Sequence, residues 1–434
     1  MKVLIIIVLL LGVNFVLWSI MGWIRMIDEF VTDKILLRRL KQTHEPGSNF
    51  SPEPMDRVVT PSEVAIIIPA YNEELTVAKT IRSSLQLVPP ENVYVNSFGS
   101  SDRTAEIADA YGVRVLDKPE HGKPKAEKLE KTVGVIQHEA PHIRAVMFID
   151  ADTWIDEHYL DRALPYLKDP EIVAVAGYAT TEWEREHVSF INRFFIAYRE
   201  RMYFYMQLVI KHGQTWKRSN VSPIVPGFAS LYRIEVLTKM DINPPGLVIE
   251  DFNMTFELHH KKLGKIAHHR NMYAITQDPD NFRDYYRQVT RWDLGFWQTV
   301  QRHGFFWSPF WLALGIYIVE VMLGSVILLL IPIIMLIVSL PDLTGGVVLA
   351  WPWFVALYTP LAAVFSWQLL LYGVFLPDYL LSVITAMVQR RPEYLWHGLG
   401  FIFLRYIDAW LYLYTFPKAL ITYSSGEWKS PTRR

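Results

Sequence analysis

The sequence predicts an α/β domain that lies between apolar, membrane-spanning ends. Three observations support this fold class: strand-like and helix-like segments alternate between about residues 60 and 305, the first 24 residues are largely apolar, and so is the C-terminal third. With 434 residues, the chain has room for two or three domains. A net charge of −1 does not indicate a nucleic-acid partner, and the absence of cysteine excludes a disulfide framework or a thiolate metal site.

Four short apolar runs, each bounded by polar or turn residues, are predicted as buried strands. Apolar residues recur at helical spacing in the segments that separate them. Because strand and helix alternate, we expect a mostly parallel sheet with helices on both faces. The predicted strands are Val64–Ile68, Val93–Val95, Val113–Leu116 and Ala145–Ile149, and the helices lie near 77–85, 102–110 and 123–135.

The N-terminal run Val3–Ile24 is nearly uncharged and about long enough to cross a bilayer. Its thin positive start and the lack of a small-residue cleavage site favour an uncleaved anchor over a signal peptide. Basic residues from Arg25 to Lys41 then place the following segment in the cytoplasm by the positive-inside rule. The predicted organisation is an anchor at 1–26, a linker at 27–61, the α/β domain at 62–280, an interfacial helix at 281–305, membrane helices at 306–424 and a tail at 425–434.

Three C-terminal segments are predicted as spanning helices, and a fourth, Tyr379–Val388, is ambiguous because it is short. Charged residues inside spanning segments either line a cavity or pair with one another, and both interpretations stay open. The three segments are Trp311–Leu340, Val347–Leu376 and Leu399–Tyr423, and the charged residues are Glu320, Arg405 and Asp408.

Two carboxylates, Asp150 and Asp152, follow the predicted strand Ala145–Ile149 directly. Residues i and i+2 of an extended chain point the same way, so both side chains face one cleft. Ligands in open α/β sheets bind beyond the carboxyl ends of strands, and Mg²⁺ commonly uses one or two carboxylates together with substrate phosphates. The pair therefore indicates a metal site, although two solvated loop acids would look the same in isolation.

Five motifs occur in an order that resembles membrane-integrated family 2 glycosyltransferases, which include hyaluronan, chitin and cellulose synthases and relatives that glucosylate ceramide. The resemblance implies a Rossmann-like GT-A fold, inverting transfer from a nucleotide-sugar (a UDP-sugar first), and Mn²⁺ or Mg²⁺ as cofactor. It also implies a sugar-chain or lipid acceptor at the bilayer. The motifs are Pro69-Ala-Tyr-Asn-Glu73, Gly122-Lys123, Asp150-Ala-Asp152, Glu250-Asp251 and Gln288-Val-Thr-Arg291-Trp292.

The resemblance also assigns roles to individual residues. Glu250 and Asp251 are the implied catalytic residues, with Asp251 as the base, while a helix cap is the alternative for this pair. Asp150 and Asp152 correspond to the metal ligands. The implied donor-binding residues are Pro69, Tyr71, Glu73, Asp102, Lys123, Asp150, Gln288, Arg291 and Trp292; the implied acceptor-binding residues are Gly227, Phe228, Asp251 and Trp292.

Gln288, Arg291 and Trp292 are spaced at i, i+3 and i+4 and therefore share one helix face. The surrounding apolar residues repeat at helical spacing, which predicts an amphipathic helix at the membrane surface. We expect the ring of Trp292 to stack on the acceptor and Arg291 to reach the diphosphate. Val188–Ile210 is predicted to be a second interfacial helix or an ordinary core helix.

The chain departs from the family pattern after its second predicted strand, where Ser97 and Phe98 stand in place of acidic residues. Those acids contact the nucleotide in the family, so we expect weak discrimination between bases, with Phe98 offering a stacking face. Polysaccharide synthesis, with coupled translocation, is the first functional interpretation. Glycosylation of a lipid and an inactive scaffold subunit are the alternatives.

Overall fold

An eight-stranded mixed sheet forms the centre of the α/β domain. The structure, a computed structural model, describes residues 12–43, 59–117, 124–183 and 188–422, with only the backbone described for 33–43. Residues 1–11 of the predicted anchor, 44–58 of the predicted linker, Gly122-Lys123 and the C-terminal tail lie outside these ranges. The strands are β1 Val64–Pro69, β2 Val93–Asn96, β3 Arg114–Leu116, β4 Ala145–Ile149, β5 Thr153–Ile155, β6 Ile172–Thr181, β7 Ala229–Arg233 and β8 Lys265–Thr276.

The strand order is β3-β2-β1-β4-β7-β6-β8-β5, and only its first half is purely parallel. β7 runs antiparallel to both β4 and β6, and β5 runs antiparallel to β8. The prediction of a mostly parallel sheet is thus confirmed for β1 to β4 and wrong for β5 and β7, whereas β6 and β8 pair in parallel. The physical reason is that a long stretch of chain separates β4 from its neighbour β7, so the connection allows either direction, and an apolar pattern marks a strand without setting its direction.

The strands β1 and β4 are buried along their whole length, which explains their uninterrupted apolar sequences. Ile66 and Ile68 face one hydrophobic core, and Ala65 and Ile67 face the other. Helices cover both faces. Because β1 and β4 are parallel neighbours, the polar residues that follow them lie at one edge of the sheet.

Helices flank this sheet and form the rest of the described chain. They are α1 Val13–Thr43, α2 Val77–Leu85, α3 Thr104–Ala110, α4 Lys125–Glu139, α5 Tyr159–Ala163, α6 Phe190–Tyr205, α7 His212–Gln214, α8 Ile234–Leu237, α9 Glu250–His260, α10 Phe282–His303, α11 Pro309–Leu343, α12 Pro352–Val364, α13 Trp367–Leu370, α14 Leu376–Gln389, α15 Glu393–His397 and α16 Phe401–Ile421.

The N-terminal helix α1 extends to Thr43, so the first half of the predicted linker is helical. This helix is docked on the α/β domain by Arg25, whose buried guanidinium donates to the His212 carbonyl at 2.8 Å and to Thr215 Oγ1 at 3.0 Å. A buried guanidinium requires such acceptors. The linker prediction failed because charged residues such as those after Arg25 are as compatible with an exposed helix face as with a loop.

Two helices in the described chain are long and apolar enough to cross a membrane: α11, and a continuous helical segment Trp367–Gln389. The predicted span Val347–Leu376 is wrong as a single helix, because the chain breaks before Ser366, whose side chain caps the next helix. The ambiguous segment Tyr379–Val388 is part of that next helix. α16 occupies the third predicted position but carries Arg405, Asp408 and Lys418.

Candidate active site

Asp150 and Asp152 lie where the sequence predicts them, between the end of β4 and the start of β5. Both line one cavity, together with Glu73 from the loop after β1. Burial raises the pKa of the Asp150 carboxyl, and the neighbouring charge of Asp152 adds to this effect against the opposing influence of Lys125. Two carboxylates so close to each other favour a cation.

Lys125, the first residue of α4, joins the acidic strand end to the start of α9. Its Nζ lies 2.6 Å from Asp150 Oδ1 and 2.8 Å from Glu250 Oε1. Burial alone would lower the pKa of Lys125, but the two carboxylates outweigh it and raise that pKa above its usual value. The sequence analysis assigned this positive charge to Lys123. The nearby Lys125, two positions later, was the sequence signal that could have identified the correct residue.

Glu250 and Asp251 open α9 and face the same cavity. Asp251 accepts hydrogen bonds from the Gly227 amide at 3.2 Å and from the Phe252 amide at 2.7 Å. Burial and the charge of Glu250 together raise the pKa of Asp251 to about 7. The pKa of Glu250 itself is lowered, because Lys125 overcomes the effect of burial. A carboxyl group with a pKa near 7 is suited to accept and release a proton.

The helix-cap alternative for this pair is not what the geometry shows, since the N-cap residue is Ile249 and no side chain caps α9. Gly227 instead approaches the acidic cluster closely: a Cβ at this position would lie 3.0 Å from Glu250 Oε1 and 3.2 Å from Lys125 Nζ. The residue therefore has to be small. Phe228 lines the cavity beside it, and its role in acceptor binding stays a prediction.

Arg199 of α6 contacts two residues of the motif on α10, and the sequence analysis did not identify it. Gln288, Arg291 and Trp292 all line the cavity. Arg199 is 1% exposed, donates a hydrogen bond to Gln288 Oε1, and places its guanidinium carbon 4.1 Å from the Trp292 ring centre. Such a desolvated cation–π contact is worth about 2 kcal/mol. Arg199 fixes the side chains expected to meet substrate.

The segment Val188–Ile210 is helical from Phe190, with an exposed apolar start and a largely buried second half. The first turn of α6 exposes Phe190 and Ile191, whereas its second half is buried. The helix is thus amphipathic at its start and a core helix at its end.

Three residues predicted to bind the donor do not line the cavity, and a fourth, Lys123, lies outside the described residues. Asp102 accepts hydrogen bonds from the amides of Glu74 and Thr104, both at 3.0 Å, and so braces the loop. Tyr71 lies beside Lys128, and Pro69 ends the buried strand β1. The prediction for these residues followed motif membership, which does not distinguish a loop brace from a ligand contact.

Ser97 and Phe98 both have buried side chains, and Phe98 is only 4% exposed. The expected stacking face of Phe98 is therefore wrong, because the ring packs into the domain instead. Ser97 Oγ is also buried and has no hydrogen-bond partner in the described part of the chain.

The cavity that contains these residues has a volume of about 1800 Å³. Small-molecule sites commonly measure about 300–1000 Å³, so there is room for more than one ligand. It continues from the acidic strand end to α11, α14 and α16. Glu320 and Asp408 line this deep part, and each accepts a hydrogen bond from a neutral group. The donor is the Asn14 amide at 2.8 Å for Glu320 and Tyr198 Oη at 2.8 Å for Asp408.

A second polar contact ties this deep part to the α/β domain. Asp378 of α14 accepts hydrogen bonds from Arg201 of α6 at 3.0 Å and from Arg405 of α16 at 3.1 Å. The charged residues predicted in spanning segments therefore all line the cavity, and Arg405 also pairs with a carboxylate, so both sequence alternatives apply to Arg405.

Comparisons with known proteins agree with this arrangement. The protein named probable glycosyltransferase YdaM of Bacillus subtilis (strain 168) is 25% identical over 256 residues, which cover 54% of this chain and 55% of that protein. The 4,4'-diaponeurosporenoate glycosyltransferase of Staphylococcus aureus (strain USA300) is 43% identical over 54 residues, 12% of this chain and 14% of that one. The chain thus matches about half the length of the first relative and less of the second.

Among solved structures, the mannosyltransferase PcManGT from Pyrobaculum calidifontis in complex with GDP-Man and Mn²⁺ is 15% identical. The alignment has a TM-score of 0.46 and covers 92% of this chain and 99% of that one. A family model described as glycosyltransferase-like family 2 matches residues 61–295, just over half of the chain. The mixed α/β domain is accordingly of the GT-A-like type, and the chain belongs to the glycosyltransferase-like family 2.

Proposed function

We propose that the protein is a membrane-embedded, inverting glycosyltransferase that uses a nucleotide-sugar, with a UDP-sugar as the first expectation, and that Asp251 is its base. The observation that carries this proposal is the position of Asp251. Its carboxyl group, with a pKa of about 7, lies in the same cavity as the acidic pair after β4. A donor whose diphosphate lies at the acidic pair and an acceptor whose hydroxyl lies beside Asp251 can therefore occupy this cavity together.

In this reaction Asp251 removes the proton from an acceptor hydroxyl. The acceptor oxygen then forms a bond to the anomeric carbon of the donor sugar, while the bond from that carbon to the nucleoside diphosphate breaks and the diphosphate leaves. Attack from the face opposite the leaving group inverts the configuration. Arg291 and Lys125 are the cations near the proposed diphosphate position, and each attracts the charge that develops there.

The residues present fit a substrate-shared divalent cation rather than a permanently bound one. Among the described residues there is no group of three or more acidic, histidine or cysteine side chains arranged to hold a metal. Asp150 and Asp152 offer two carboxylates, and Mn²⁺ or Mg²⁺ can complete its coordination with diphosphate oxygens. When bound, the cation would neutralise charge on the leaving diphosphate.

Exposed apolar surface supports an integral membrane location with several spans and a catalytic domain in the cytoplasm. Only 22% of the most apolar stretch of α11 is buried, so most of its apolar side chains face outward. Soluble proteins rarely expose apolar patches of this extent. Exposed Trp307, Trp353 and Trp396 add the amphipathic rings that are common at membrane surfaces.

Polymer synthesis with coupled translocation is the first choice of reaction, because the cavity is long and continues between the apolar helices. Transfer to a lipid is the second, supported by the apolar residues Val321 and Leu328 in the wall of the deep cavity. An acceptor chain would enter the same space in either case.

Turnover of a panel of UDP-, GDP- and TDP-sugars by the purified protein with Mn²⁺ tests the proposal. Release of nucleoside diphosphate and a labelled product are expected for at least one donor. Extraction then separates a polymer from a glycolipid. Absence of metal-dependent donor cleavage with every donor would instead favour the inactive scaffold.

A further inference from the structure

A buried lysine, Lys211, lines the cavity at the end of a π-helical turn, Met206–Lys211, which continues α6. The residue is 7% exposed, and its ammonium has no hydrogen-bond or ion-pair partner among the residues that the structure describes. An ammonium in this position is largely removed from bulk water and gains no contact with a counter-charge among the described residues, which is unfavourable. Lys211 is thus an unsatisfied cation on the wall of a cavity large enough for a second ligand.

The surroundings of Lys211 differ from those of Lys125. Lys125 contacts Asp150 and Glu250 and is therefore neutralised. Burial lowers the pKa of Lys211 to about 8, and Asp251 is the charged group that opposes this shift. Lys211 remains mostly cationic at neutral pH, under the influence of Asp251 but without contact to a carboxylate.

The backbone around Lys211 is fixed by close packing. Turns of the π type are rare and occur frequently at functional sites. The turn lies against α1, where a side chain added at Gly22 would lie 3.4 Å from the Val209 carbonyl oxygen and one at Gly213 would collide with the carbonyl of Trp18. The position of Lys211 is therefore set by the fold before any ligand binds.

We propose that Lys211 binds an anionic group of the acceptor, a phosphate or a carboxylate, next to the oxygen that Asp251 deprotonates. The donor diphosphate is the less suitable occupant, because the acidic pair and Lys125 define its position and Lys211 contacts none of these residues. The anion site rests on Lys211 and the cavity alone. Its assignment to the acceptor rests on the proposed sugar transfer.

The test is calorimetric titration of the full-length protein in detergent micelles with inorganic phosphate and, separately, with acetate. The wild type, Lys211→Met, Lys211→Arg and the control Lys265→Met are compared in a chelating buffer. Lys265 pairs with Glu171 at the surface and does not line the cavity. A parallel titration with UDP and Mn²⁺ reports donor binding, and thermal unfolding reports folding.

We expect Lys211→Met to weaken binding of one or both anions by at least ~10-fold, the scale of a charge-assisted hydrogen bond. Lys211→Arg and Lys265→Met should bind as the wild type does, and UDP affinity should be the same in all four proteins. Preference for phosphate or for acetate identifies the acceptor group.

Three results would overturn the inference. They are an unchanged anion affinity in folded Lys211→Met, an equal loss of UDP affinity in that variant, and no binding of either anion to the wild type at tens of millimolar. If anions bind through Lys211 but no sugar is transferred, the proposed function fails and the anion site stands.

Discussion

The guanidinium carbon of Arg199 lies 4.1 Å from the centre of the Trp292 ring, although the two residues belong to different helices. The same side chain donates a hydrogen bond to Gln288. A single buried cation from α6 thus orients two members of the motif on α10.

Trp292→Ala should raise the KM for the acceptor far more than it changes donor affinity, because the ring is expected to stack on the acceptor. Arg199→Met should resemble it, since Trp292 then loses its support. Steady-state kinetics with varied acceptor, together with UDP titration, measure the two effects. Equal losses of donor and acceptor binding would indicate that the pair serves packing only.

Asp251→Asn should lower the turnover number by at least the ~10²-fold typical of a lost general base. Donor affinity should be retained, since Asp251 is not in contact with the acidic pair after β4. The surface variant Asp161→Asn, at a carboxylate that pairs with His158, is the matched control. Normal turnover in Asp251→Asn would rule out the base role.

The pH dependence of turnover should follow the same carboxyl group. A base must be ionised to accept a proton, and the pKa of Asp251 is about 7, so turnover should fall as the pH drops below that value. Glu250→Gln removes a negative charge that raises this pKa, and the acid limb should move to lower pH. If the acid limb of the pH profile does not move in this variant, a group other than Asp251 controls the loss of turnover at low pH.

Lys125→Met should move the acid limb in the opposite direction, because Lys125 lowers the pKa of Asp251. The variant also leaves the buried Glu250 without its partner at 2.8 Å, so a lower thermal stability is expected. Lys131→Met, on the same helix but paired with Glu127, provides the comparison. Opposite shifts in Glu250→Gln and Lys125→Met would be difficult to obtain from nonspecific damage.

Asp152→Asn should abolish metal-dependent turnover and weaken Mn²⁺ binding in the presence of nucleoside diphosphate, as measured by paramagnetic resonance. Excess chelator should have the same effect on the wild type. Full turnover in chelator would remove the metal from the proposed reaction.

The part of the fold that the sequence predicts well is the part in which local pattern and burial agree. Strands β1 and β4 are apolar throughout, and Asp150 is the first polar residue after β4, so both that strand and its end can be recognised in the sequence. The break before Ser366 is harder to see, because hydropathy averages over it, although a serine that caps a helix is a local signal. The antiparallel strand β7 depends on chain direction, which local pattern does not encode.

The residues missed in the site are basic residues whose roles depend on distant partners. Lys125, Arg199 and Lys211 each resemble an ordinary charged residue on a helix. Their importance follows from burial next to groups that are far away in sequence: Arg199 meets Gln288, which follows it by 89 positions. Without the fold, no spacing rule connects such residues.

The contact of Asp378 with Arg201 and Arg405 has a mechanical consequence. One carboxylate joins a helix that packs on the sheet to two helices of the apolar bundle, so these parts cannot tilt independently without leaving a buried charge unpaired. In the proposed membrane-embedded enzyme, this contact would hold Asp251 at a constant height relative to the bilayer. A membrane-bound acceptor of that enzyme would have to bring its reactive hydroxyl to this fixed level, so the distance from its membrane-bound portion to that hydroxyl would select among acceptors by length.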